Sequence, residues 1–257
     1  MIAIKNTPNL TGVTISGDFN DLYNLVESLH DITLADNAAG AYHQYVGIST
    51  RVLGVCYDIR HAYQGDREIK LIDNNMTDEK MKWHSIIAPK NNIYYSCNIL
   101  YPEMFFVMIA LDTLIKPRIK DLAKAKLSFE RAVDKRVVWD KTITTIRSFQ
   151  AEFAACVRST FTKATFARWM NMMRDDYIGI EDVAGQYVDL LNVTYIKMPK
   201  EKRLKSLSSI AKRIVEFRYN KDHNEIKDIV TSAAKEYKCD PREIRLQGIE
   251  YPEDIEW

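Results

Sequence analysis

Pro102-Glu-Met-Phe-Phe-Val-Met-Ile-Ala-Leu-Asp-Thr-Leu-Ile-Lys-Pro117 is the stretch on which the fold turns. Pro102 suits the first position of a helix, where its missing amide would have no intrahelical partner anyway. From Met104 to Ile115 the side chains are apolar nearly all round, broken mainly by Asp112, which is the pattern of a helix enclosed by protein. The run is too short for a membrane span, which needs about 18 consecutive apolar residues. Pro117 is expected to kink or end the helix.

Upstream of this helix the pattern is mixed. Ile2 to Ile4, Val13 to Ile15, Glu68 to Ile72 and Ile93 to Leu100 read as four short strands, apolar and partly β-branched. Asp18 is placed to cap a helix whose apolar face is Phe19, Leu22, Val26 and Leu29, running to about Ile32. A second helix is expected from about Tyr42 to Gln64, with Gly65 as its stop, and a short one over Thr77 to Ile86 with Thr77 as its cap.

Downstream, helical spacing dominates. Trp139, Ile143, Ile146, Phe153 and Val157 form one stripe; Leu204, Leu207, Ile210, Ile214 and Phe217 form another; Ile226, Ile229, Val230 and Tyr237 mark a third. Asp240-Pro241-Arg242-Glu243 has the composition of a helix start. The expected class is therefore α+β and helix-dominated, with about four strands in the first 100 residues. Residues 1–115 would form the α+β part and 116–257 a helical domain or extension. The apolar helix before Pro117 can also join the two in one core.

The 257 residues include only 9 Gly and 7 Pro, which leaves long helices largely uninterrupted. Four widely spaced cysteines form neither a metal knuckle nor a redox pair, and the N-terminus lacks the features of a signal peptide. A cytoplasmic location with reduced thiols, and no membrane association, is expected. The five histidines are well separated, and neither a Gly-rich phosphate loop nor a nucleophile elbow is present. No metal and no cofactor is expected.

Two constellations bear on function. The first is Cys56-Tyr-Asp-Ile-Arg-His-Ala-Tyr-Gln-Gly-Asp-Arg-Glu68. His43, Thr50, Tyr57 and His61 share a narrow stripe of the second helix, and Asp58, three residues before His61, can orient its imidazole. Asp58 and His61, with Asp66 and Glu68 at the helix end, are the four candidate acid–base residues, and Arg60 and Arg67 the candidate anion-binding ones. Glu68-Ile69-Lys70 also matches the acid-x-Lys step of some metal-dependent nucleases, a common tripeptide. The same residues fit a solvated face whose ion pairs tie helix to strand.

The second constellation is charge. Residues 116–218 hold 22 Lys and Arg against 12 Asp and Glu, a net of +10, inside a chain whose net charge is only +1. Arg158, Lys163, Arg168 and Arg174 interleave with Phe161, Phe166 and Trp169, and Lys202 and Arg203 lie in a later basic run. Basic side chains with aromatics can hold phosphates and stack bases. Alternatively the aromatics face the core and the basic groups stay solvated.

Ile4-Lys-Asn-Thr-Pro-Asn-Leu-Thr-Gly-Val13, Val55 to Glu68 and Tyr94-Tyr-Ser-Cys-Asn-Ile-Leu-Tyr-Pro-Glu103 resemble an uncharacterised bacterial family, a domain of unknown function, over roughly the first 115 residues. The resemblance implies a bacterial or phage origin and no established activity, cofactor or catalytic residue. The leading expectation is a non-catalytic intracellular binding protein whose basic half engages an acidic partner: a protein, its own copies as a homo-oligomer, or nucleic acid. The alternative is a small enzyme around Asp58, His61 and Asp66–Glu68.

Overall fold

The computed structural model describes residues 1–33, 45–124, 127–173 and 183–257. Strands β1 (Ala3–Asn6), β2 (Gly12–Gly17), β3 (Glu68–Asp73) and β4 (Asn91–Leu100) form one antiparallel sheet in the order β1-β2-β4-β3. Helices α1 (Phe19–Ile32), α2 (Val46–His61) and α3 (Asp78–His84) lie between the strands in sequence, and α4 (Tyr101–Leu122) follows the last of them. The remainder is helical: α5 (Ser128–Val133), α6 (Lys135–Val138), α7 (Lys141–Thr160), α8 (Lys163–Met172), α9 (Ala184–Ile196), α10 (Lys200–Val215) and α11 (Lys221–Tyr237). This is the expected helix-dominated α+β class.

The inner strands alternate as a one-sided sheet should. Val13 faces Ile99 and Ile15 faces Cys97 in the core, while Thr14 and Asn98 pair on the other face through a 2.6 Å hydrogen bond. At Gly12 the neighbouring strand comes so close that a Cβ would lie 2.0 Å from the Ile99 carbonyl oxygen, so only glycine fits. Asp18 and Asp21 cap α1 reciprocally, each side chain accepting the other's backbone N–H at 2.8 and 3.2 Å. Leu22, Val26 and Leu29 are buried as expected, whereas Phe19 is half exposed and packs on Tyr23 and Tyr63.

Helix α4 buries nearly every side chain from Tyr101 to Ile115 and packs against β2, α2, α7, α9 and α10. The hydrophobic core is continuous on both sides of residue 116, from Ile4 in β1 to Val230 in α11. Pro117 does not end the helix, which runs on to Leu122. Ile119 and Leu122 still pack on the core, and that packing outweighs the single backbone donor the proline lacks.

Three further expectations shift. The second helix begins at Val46 among the described residues, and Tyr42 and His43 lie outside them. Trp139 precedes α7 and is exposed, and Leu204, Ile229 and Tyr237 are exposed although they share helical spacing with buried neighbours. Asp240 caps only a single 3-10 turn, Pro241–Glu243.

Candidate functional site

The acid–histidine cluster sits where α2 runs into β3. After His61 the chain makes one wide π-type turn, Ala62–Asp66, with Gly65 at φ 92°, a left-handed conformation that glycine adopts without strain. The wide turn carries Asp66, five residues on, back to His61, with Nδ1 2.7 Å from Asp66 Oδ2. The expected Asp58–His61 pair is therefore not formed. Asp58 Oδ1 instead accepts from Arg67 Nη2 at 2.9 Å, a permanently charged donor that binds a carboxylate better than an imidazole does. That bond, more than burial, sets the direction of the Arg67 pKa, which is raised. Arg60 lies over the Tyr57 ring, 5.4 Å from its centroid.

Glu68 Oε2 accepts from Ser96 Oγ at 3.1 Å and pairs with Lys70 Nζ at 3.1 Å. Glu68 and Lys70, two apart on one strand, thus form an ion pair with each other. Among the described residues no three His, Cys, Asp or Glu side chains are grouped to hold a metal ion.

Asp58, Arg67 and Glu68 line a cavity of about 680 Å³, and His61 and Asp66 do not. Its far wall was not legible in the sequence. Arg51, one turn from Val55 on α2, grips both oxygens of Glu103 through Nε (2.6 Å to Oε1) and Nη2, and reaches Asp189 Oδ1 through Nη1 at 2.7 Å. Burial alone would lower the Arg51 pKa; the two carboxylates more than offset it and raise it. Asn192 donates to Glu103 and to Tyr251 Oη, and Tyr251 donates to Asp189, so α4, α9 and the C-terminal segment close one network. The cavity walls carry four carboxylates (Asp58, Glu68, Glu103, Asp189) against two arginines. Glu103, at the foot of the apolar α4, was the only sequence hint; its partners lie 52 and 89 residues away.

The basic half is arranged on another surface. Thr162 caps α8, and Thr165, Arg168 and Met172 follow on one side of that helix. On α10 and its C-terminal cap the facing stripe is Lys205, Ser208, Ser209, Lys212 and Glu216, the last four lying three, four, seven and eleven residues after the first. Together with Thr160 and the half-buried Phe161 they line a groove of about 740 Å³. Three cations, Arg168, Lys205 and Lys212, line it with five Ser and Thr residues and one acid, Glu216, which lies 3.7 Å from Lys212; of the hydroxyls, Thr160 donates to the Cys156 carbonyl, Ser209 to the Ser206 carbonyl and Thr162 to Thr165 Oγ1. Arg158, Lys163 and Lys202 are exposed but outside the lining. Arg174 lies outside the described residues.

Two basic-half expectations need correction. Trp169 is 3% exposed and packs on Phe105, Phe153 and Phe166, so it belongs to the core and offers no face for stacking. Arg203 is not a surface cation. It is 5% exposed, and its guanidinium donates to the carbonyls of Tyr195 (3.4 Å), Ile196 (2.7 Å) and Asn9 (3.0 Å) and to Thr11 Oγ1 (2.7 Å). Two of the surplus cations are also matched by acids from outside residues 116–218: Arg147 pairs with Asp112 and Arg213 with Asp222.

A family model for a domain of unknown function, DUF6904, matches residues 2–257. The chain belongs to the DUF6904 family. The family spans both the sheet and the helical remainder, so the likeness is not confined to the first 115 residues. No curated protein and no solved structure matches the chain. No helix among the described residues is long and apolar enough to cross a membrane.

Proposed function

We propose that this DUF6904 chain is a non-catalytic binding protein of a bacterial or phage cytoplasm, whose α8–α10 groove holds a phosphate-bearing polyanion. The observation that carries this reading is the convergence of Arg168, Lys205 and Lys212 on one groove, with Thr165 and Ser208 beside them. Lysine and arginine with serine and threonine are the side chains that contact nucleic-acid phosphates. Phe161 adds one aromatic face beside them, which favours a single strand over a duplex. The test is fluorescence anisotropy with a labelled single-stranded oligonucleotide across a salt series. Three neutralised phosphates give a log–log salt slope of about −2, at about −0.7 each. Replacing Arg168, Lys205 and Lys212 together by Ala should abolish binding while the protein stays folded. Equal binding by that variant, or none by the wild type at low salt, ends the reading.

A second reading, a small enzyme or ligand-binding protein, is favoured by the cavity that Asp58, Arg67 and Glu68 line. Its excess of carboxylates suits a cationic ligand. Small organic amines should then raise the melting temperature of the wild type but not of Glu68→Gln. His61→Ala, altering a residue outside the lining, should respond like the wild type.

A further inference from the structure

Strand β3 is one of the two outer strands of the sheet, and all six of its residues are exposed. An outer strand offers unpaired N–H and C=O groups, and folded proteins ordinarily keep it short, charged or covered. Here it is apolar. Ile69 sits opposite Tyr95 and Leu71 opposite Ile93, so Ile69, Leu71 and Ile93 share one face, with Leu71 67% exposed. Ile72 points to the other face and is also exposed. The connection between β3 and β4 continues the pattern. Helix α3 buries none of its residues, Trp83 is 85% exposed, and Ile87 is fully exposed. These large apolar side chains, on both faces of the strand and in the connection that follows it, are exposed within one short stretch, where a monomer ordinarily exposes them singly.

We propose that this arm, residues 68–93, is the interface through which two copies of the chain associate, with β3 laid antiparallel against β3 of the second copy about a two-fold axis. Its charge favours a copy of itself over a charged partner. The arm holds four acids (Glu68, Asp73, Asp78, Glu79) and four lysines (Lys70, Lys80, Lys82, Lys90), so two arms meet without net repulsion. Lys70, the kind of residue that deters pairing at an edge, is already matched by Glu68 at 3.1 Å, and Lys90 by Asp78 at 2.9 Å. A two-fold at Ile69 would pair residues 68–70 of the two copies, setting Glu68 of each against Lys70 of the other and retaining that neutralisation over this short overlap. The surface is separate from the α8–α10 groove and does not depend on what the groove binds.

Sedimentation equilibrium across the micromolar range tests this on the full chain. The expected species is a dimer of twice the 29.8 kDa chain mass. Leu71→Lys and Trp83→Ser each alter an exposed side chain, so circular dichroism should be unchanged while the dimer dissociates at least tenfold more readily. Lys205→Ala, on the groove, should leave the dimer intact. A wild type that is monomeric throughout the range overturns the proposal. So does a dimer that survives both arm substitutions, because its interface would then lie elsewhere.

Discussion

Arg203→Ala should be among the most damaging single substitutions in the basic half, although the sequence sets Arg203 between exposed neighbours in a lysine-rich run. Its guanidinium caps the C-terminal end of α9 through the Tyr195 and Ile196 carbonyls, where the helix dipole favours a cation. The same group holds the β1–β2 turn through Asn9 and Thr11, and Tyr195 Oη donates to the carbonyl of Leu10 in that turn at 2.9 Å. Truncation removes three short charge-assisted hydrogen bonds, about 1.5 kcal/mol each at the low end, and leaves their acceptors under-satisfied. Water entering the space vacated by the side chain returns part of this, so a net loss of about 3–4 kcal/mol is expected. For a chain of this size that lowers the melting temperature by about 6–16 °C. Lys202→Ala, one residue earlier and exposed, should change stability by no more than about 0.5 kcal/mol. Arg203→Lys should fall between, since one ammonium cannot span both elements. Parallel thermal and urea melts read all three. If Arg203→Ala melts within 2 °C of Lys202→Ala, the clasp between α9 and the β1–β2 turn contributes nothing and the reasoning fails.

Gly12→Ala should destabilise by about 3 kcal/mol or prevent folding, because its methyl meets the Ile99 carbonyl at 2.0 Å; Gly47→Ala, with open space around it, is the control, and urea midpoints separate them. Asp140→Asn keeps in Oδ1 the acceptor that caps α7 and meets Arg118 Nε, but loses the 2.7 Å bond from Arg118 Nη2 and the carboxylate charge, costing about 1–2 kcal/mol at pH 7. The Arg118 hydrogen bond is the main reason the Asp140 pKa is lowered in the folded state, so this stability is complete above the unfolded aspartate pKa of about 4 and is lost as pH falls through the folded value; the gap between variant and wild type in urea melts should therefore close below about pH 4. Burial pushes the Cys56 and Cys97 thiols up to about 12, whereas Cys239 is partly exposed, so iodoacetamide at pH 8 should label Cys239 first and the other two only after unfolding, as read by mass spectrometry.

Local rules carried the sequence a long way. The alternation in Val13 to Ile15 and Ile93 to Leu100, the Asp18 cap, Thr77 before α3 and the nearly all-apolar run of α4 each depend on neighbours a few residues away, and such signals survive without knowledge of the fold. Tertiary structure decided the rest. Which acid meets His61 was set by one wide turn at Ala62–Asp66, because a π-type turn brings the fifth residue round where an α-turn brings the third or fourth. Arg51, Glu103, Asp189 and Tyr251 meet only because α2, α4, α9 and the C-terminal segment converge on one cavity. Net charge told how many cations the middle of the chain holds but not where they point. Periodicity cannot distinguish an arginine whose guanidinium reaches backbone carbonyls in the interior, as at residue 203, from a lysine one position earlier that faces water. Composition fixes how much surface must be buried; only the packed chain fixes which charges share it.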